Sequence, residues 1–208
     1  MNQSRLDSQP EVRPATPDDH VGIDRVIRDA FGAEDPSEGG KVATLWPDVH
    51  ASGHVLAESV VVRDGRVVGH VGVSRCWIDA RRSLVDAAVL SPLSTAPDYQ
   101  GQGIGTALVA AAVAAAGTLG GPALFLEGSP AFYGSRGFVR SSKHGLEAPS
   151  PRAPDAAFQV VLFDAFEEWM RGRVVYPEVW WRHDAVGLRD PDLAFLEDLF
   201  ARTFPPID

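Results

Sequence analysis

Cysteine is nearly missing from this chain. Cys76 is the only one in 208 residues, so no internal disulfide can form, and a reducing cytoplasm is the expected location. Positive charge is scarce too. Nineteen Lys and Arg stand against 28 Asp and Glu, a formal net charge of -9. Nucleic acid is therefore not the expected partner, because neutralising phosphates requires a basic face. Long apolar runs are also lacking. The opening stretch MNQSRLDSQPEVRP contains none and is not expected to act as a secretory leader. No segment approaches about 18 uncharged apolar residues, which leaves no membrane-spanning helix in the reading. No internal repeat is present, and low complexity is confined to one alanine-rich stretch.

What is present suits a globular fold. Hydrophobic residues make up 45% of the chain, enough for a real core, and the length fits one ordinary domain with something to spare. EVRPAT reads as a short strand. TPDDHVGIDRVIRDAFG reads as a helix with Thr16 at the N-cap, Pro17 in the first position, Asp18 and Asp19 favouring the dipole, and Gly32 closing it. A short helix is expected around Val42 to Trp46, broken by Pro47. HVLAESVVVRD and RVVGHVGVSRCWID are strands joined by Asp64-Gly65, a strong hairpin signal. SLVDAAVLSPLSTA is a further strand, interrupted by Pro92. TALVAAAVAAAGTLG is apolar almost all round and is expected to be a buried helix. PALFLEG follows as a buried strand, SPAFYGSRG as a helix of one or two turns, and AAFQVVLFD as the last strand. This order is an α/β (α+β) pattern. From about Ala165 the texture changes: three of the five tryptophans fall here, and Asp192 to Thr203 has a second helical pattern.

Chemistry concentrates in PDYQGQGIGTALV, Pro97 to Val109. A strand feeding a glycine-rich turn into a helix N-terminus is a generic anion site, where unpaired amides and the positive end of the helix dipole converge. Spacing decides which anion. A P-loop requires a lysine after its last glycine, and none follows Gly105. The dinucleotide fingerprint is G-x-G-x-x-G, whereas Gly101, Gly103 and Gly105 are spaced G-x-G-x-G. Neither nucleotide reading survives.

The pattern Q-x-x-G-x-G, here Gln100, Gly103 and Gly105, closely resembles the pyrophosphate loop of the GNAT superfamily of acyl-CoA-dependent N-acetyltransferases. SPAFYGSRGF, Ser129 to Phe138, resembles that family's short helix ending in Y-x-x-x-G-F. Two motifs in the right order are much more specific than one. The resemblance covers about Val12 to Asp164. It implies a GNAT-type mixed, mostly antiparallel twisted sheet, splayed between its fourth and fifth strands and flanked by helices. The implied organisation is a flexible N-terminus over 1–10, an N-acetyltransferase domain over 11–164 and a partly helical C-terminal appendage over 165–208. That appendage is expected to pack on the main body or on a second subunit, the latter giving a homodimer.

The resemblance also implies a reaction and a set of residues. Acetyl-CoA, as co-substrate, would lie in the splay and bond to strand-four backbone like an added strand. Leu93, Ser94 and Thr95 are the residues implied there. Gln100, Gly101, Gln102, Gly103, Ile104, Gly105 and Thr106 would hold the pyrophosphate. Tyr133 aligns with the family's general acid, an adequate proton donor to a leaving thiolate. Pro92 cannot donate to a ladder and belongs at an edge or bulge. The base is open: Asp86, Glu127 or a water chain could serve. Cys76 reads as a buried small hydrophobe, His54 and His70 lack metal-ligand spacing, and no metal is implied. The expected function is acetyl transfer to a primary amine by direct attack in a ternary complex, with a small-molecule acceptor. Two rivals stand beside it: a non-catalytic acyl-CoA-binding or regulatory module, and acylation of protein N-termini or lysines.

Overall fold

The computed structural model describes residues 10–33 and 36–204; the first nine residues, expected to be flexible, lie outside them. The elements in chain order are β1 (Val12–Pro14), α1 (His20–Phe31), α2 (Pro36–Ala51), β2 (Val55–Arg63), β3 (Arg66–Ala80), β4 (Leu84–Thr95), α3 (Ile104–Thr118), β5 (Ala123–Glu127), α4 (Pro130–Tyr133), β6 (Val139–Arg140), β7 (Leu146–Glu147), β8 (Phe158–Leu162), β9 (Gly172–Val175), α5 (Glu178–Arg182) and α6 (Asp192–Thr203). The strands form one sheet in the order β1-β2-β3-β4-β5-β8-β6. β9 pairs with both β3 and β7. Pairing is antiparallel except at β4–β5 and β7–β9.

Strand periodicity sorts the side chains onto two buried faces. Ala87, Val89, Ala123 and Phe125 join α1 and α2 in one core, while Ala88, Leu90, Leu124 and Leu126 join α3 in the other. Both helical layers approach the sheet over glycines of β3. A Cβ at Gly72 would overlap the Trp46 ring of α2, and one at Gly69 would lie 2.6 Å from the Ile104 side chain of α3. The hairpin turn has Asp64 and Gly65 both at positive φ (49° and 72°), the geometry that Asp-Gly favours. Ahead of α1, the Asp19 carboxylate accepts hydrogen bonds from the Thr16 amide (2.8 Å) and hydroxyl (2.9 Å) and pairs with Arg13, holding it far below the usual carboxylate range.

Three elements differ from their sequence reading. Pro47 does not break a short helix; it sits inside the 16-residue α2. Trp46 and Val49 on either side of it are buried, so packing offsets the hydrogen bond that proline forfeits. α3 is not buried all round. Ile104, Leu108, Val109, Ala112 and Ala116 are buried while Ala110 and Ala114 are exposed, because alanine costs little on a wet face and its apolarity says little about burial. Phe158–Leu162 is not the last strand. β9 follows it and pairs with Trp77–Ala80 of β3, on the edge where β2 has already ended at Ser74.

Candidate functional site

β4 and β5 pair only at Ala88–Leu124 and Val89–Phe125. Beyond that point β4 continues along β3 to Thr95, while β5 continues along β8, so the two strands part and open a cleft. Pro92 falls in the register shift between the Leu90–Val73 and Leu93–Val71 pairs, the bulge position its missing N–H demands. The Ala96 amide bonds to Val68 O at 2.9 Å. Peptide direction alternates along a strand, so the groups of Thr95 and Leu93 face away from β3, toward the edge that β5 has left.

A cavity of about 590 Å³ lies at this edge. Its walls include Leu93 and Thr95, the loop residues Gln100, Gly101 and Gly103, the α3 residues Ile104, Gly105 and Thr106, and Phe132 with Arg136. Eight of the ten residues expected to hold the co-substrate therefore line it; Ser94 is buried, and the Gln102 side chain turns to Asp98 O at 3.2 Å. The glycines serve different ends. Gly101 and Gly103 have φ of 72° and 80°, a backbone that other residues adopt only with strain. Gly105 has ordinary helical geometry, but a Cβ there would approach the Phe132 ring at 3.3 Å. The first bond of α3 runs from the Ala107 amide to Gly103 O at 3.0 Å, which leaves the preceding amides outside the helical ladder, where an anion can take them. The residues present thus fit a pyrophosphate.

Arg136 was not singled out from the sequence. Its guanidinium donates to Thr106 Oγ1 at 2.7 and 3.2 Å, lies 3.7 Å from the Phe132 ring centroid and bonds to the Phe132 carbonyl. It adds a positive charge to the cavity mouth. Its place, three residues after Tyr133 and one before Gly137, was the available signal.

Tyr133 is not a wall of that cavity. Its ring packs edge-on against Phe132 and Phe138, at 4.8 and 5.8 Å between centroids, and closes on Gly128. Burial pushes the phenol up to about 12, so it is protonated at any physiological pH.

The two carboxylates considered as bases lie on opposite faces of the sheet. Asp86 shares the α3 face with Ala88 and Leu90, is exposed, and lies 3.8 Å from Arg75. It borders neither the large cavity nor the one beside Glu127. Glu127 ends β5 on the other face and borders a second cavity of about 290 Å³. Val89 and Ser91 of β4, Phe31 of α1, and Tyr176, Trp180 and Gly187 from the chain end supply other walls; Phe31 borders both cavities. Burial raises the Glu127 carboxyl to about 7, although the Gly187 amide (3.1 Å), the Tyr176 hydroxyl and the Arg152 charge all pull the other way. Tyr176 itself is fully buried, which drives its phenol well above the ordinary value, with Glu127 adding to the effect. Tyr176 was not expected at a site, since nothing local marks it. Cys76 is wholly buried and its thiol is strongly raised by desolvation, consistent with a packing role.

Comparisons with known proteins agree with this geometry. A family model described as "Acetyltransferase (GNAT) family" matches residues 22–140. The uncharacterized N-acetyltransferase YjhQ of Escherichia coli (strain K12) is 30% identical over 135 residues, covering 64% of this chain and 72% of that protein. Among solved structures, the GNAT family N-acetyltransferase YhbS of E. coli, in complex with CoA, superposes with a TM-score of 0.74 at 26% identity, over 90% of this chain and 100% of its own. A GNAT family acetyltransferase from Brucella melitensis, in complex with acetyl-CoA, shares the fold with a TM-score of 0.66 at 24% identity, over 82% and 97%. Among the described residues, no helix is long and apolar enough to cross a membrane.

Proposed function

The chain belongs to the acetyltransferase (GNAT) family, and on that premise we propose that it transfers an acetyl group from acetyl-CoA to the primary amine of a small molecule, by direct attack with both substrates bound. The observation that carries this reading is the pair of cavities on either side of the β4–β5 parting, one walled by the glycine loop and the other by an ionisable carboxylate. CoA in YhbS and acetyl-CoA in the Brucella protein support the choice of co-substrate.

Bound at the loop, acetyl-CoA would supply an activated acyl group and a thiolate leaving group. The amides at the start of α3, with Arg136, would hold the pyrophosphate, and the outward peptide groups of Leu93 and Thr95 would take the pantetheine arm. Glu127 is the base in this scheme. An alkyl ammonium has a pKa near that of lysine, about 10, so the acceptor must shed a proton before its nitrogen can attack. A carboxylate that titrates near 7 is matched to that task. The nitrogen lone pair then forms the C–N bond as the C–S bond breaks, the Tyr133 hydroxyl gives its proton to the departing sulfur, and the proton shed by the newly acylated nitrogen restores the phenol. A cavity of about 290 Å³ suits a small acceptor better than a protein chain.

Free thiol release, followed across a panel of small primary amines, tests the proposal. Thiol release that depends on one or a few of these amines is the expected outcome. Tight acetyl-CoA binding with no thiol release for any amine would favour the non-catalytic module, and turnover on peptides alone would favour protein acylation.

A further inference from the structure

A third cavity, of about 270 Å³, lies away from the cleft between α1, α2 and β2, and its walls include His20, Trp46, His50 and Glu58. These residues come from three elements: the first residue of α1, the last turns of α2 and the middle of β2. One ligand atom from each of His20, His50 and Glu58 lies within 4.8 Å of the other two.

We propose that His20, His50 and Glu58 form a divalent transition-metal site, best suited to zinc. Two imidazoles and one carboxylate are an established zinc donor set, with a water completing the tetrahedron. His50 Nε2 and Glu58 Oε2 are already 3.2 Å apart, close to the edge of about 3.4 Å that a tetrahedron with bonds of about 2.05 Å requires. His20 is exposed at the start of its helix, where a side-chain rotation can bring its nitrogen inward.

The carboxylate is held for this role. Its other oxygen, Oε1, accepts hydrogen bonds from Trp46 Nε1 at 2.6 Å and from the buried His70 Nε2 at 2.8 Å, which orients Oε2 toward His50. Such outer partners fix a ligand's direction and keep it ionised. A metal held this way would tie α1 and α2 to β2, the same two helices that contribute Phe31, Val42 and Leu45 to the cavity beside Glu127.

The test uses the full chain, freed of metal by a chelator and dialysed, with Co²⁺ as the spectroscopic probe. One Co²⁺ per chain is expected, with the visible absorption of a tetrahedral site, displaced by an equivalent of Zn²⁺. Zn²⁺ alone should raise the melting temperature. His50→Ala and His20→Ala should each weaken binding by at least about 10-fold; His20 is exposed, so its variant keeps the fold, as circular dichroism would verify. His54→Ala removes a histidine that packs edge-on against Trp77 instead and should bind Co²⁺ like the parent. Absence of saturable binding, a stoichiometry spread over several weak sites, or binding that survives loss of both His20 and His50 would each overturn the proposal.

Discussion

Burial moves Glu127 and Tyr133 in the same direction with different consequences. For Glu127, a rise to about 7 brings the carboxylate to the point where it accepts a proton readily yet is still about half ionised at neutral pH. Activity should therefore climb as pH rises through about 7. Glu127→Gln should lower kcat/KM by roughly 10² or more at pH 8 and abolish that limb of the profile; a variant that keeps the limb would exclude Glu127 as the base. The same shift bears on stability. The unfolded carboxyl titrates near 4.3, so between there and about 7 the folded state holds the extra proton and stability falls as pH rises. Glu127→Gln should thus melt higher than the parent at pH 8, by the equivalent of about 1–3 kcal/mol, and the gain should vanish near pH 4. For Tyr133, a rise to about 12 keeps the proton in place for donation. Tyr133→Phe should retain acetyl-CoA affinity while turnover falls by roughly 10²-fold or more; unchanged turnover would remove the phenol from the mechanism. The Asp86 alternative was undecided on the sequence because strand parity alone could not say which face held the cleft.

The strand–loop–helix unit of β4 and α3 was the most legible element. Its glycines are defined by local backbone demands, and eight of the ten residues expected from the motif do line one cavity. Gly103→Glu would place a β-carbon at φ 80° and a negative charge where the proposed scheme puts the pyrophosphate. Isothermal titration with CoA should find binding reduced by roughly 10²-fold or more, while the left-handed backbone costs the fold about 1–2 kcal/mol and no clash adds to it, because a Cβ at this position meets nothing within 4 Å; unaltered affinity would take the loop out of the binding site. Helix character was less legible. Pro47 reads as a breaker and the alanines of α3 as core, since both rules score a residue without its neighbours. Trp46 over Gly72 decides the first, and solvent along one side of α3 decides the second.

At the scale of the whole molecule, the chain end closes the site. β9 completes the edge of β3, and Val174, Tyr176, Val179, Trp180 and Val186 enter the same core as α1, α2 and Phe125. Trp180→Ala should cost about 3–5 kcal/mol of stability, read as a lower denaturant midpoint, and should also open the cavity beside Glu127, raising KM for the acceptor more than for acetyl-CoA. A variant as stable as the parent would mean that the chain end is not part of the core. The amino-acid sequence by itself determined strands β1 to β5 and β8, the hairpin turn, the glycine loop and the family, because each depends on residues within a few positions of one another. Only the tertiary structure decided which carboxylate faces the cleft, that Arg136 meets Thr106, that Tyr176 and Trp180 wall a cavity, and that His20, His50 and Glu58 converge. Those facts depend on contacts between distant segments, which no local spacing encodes.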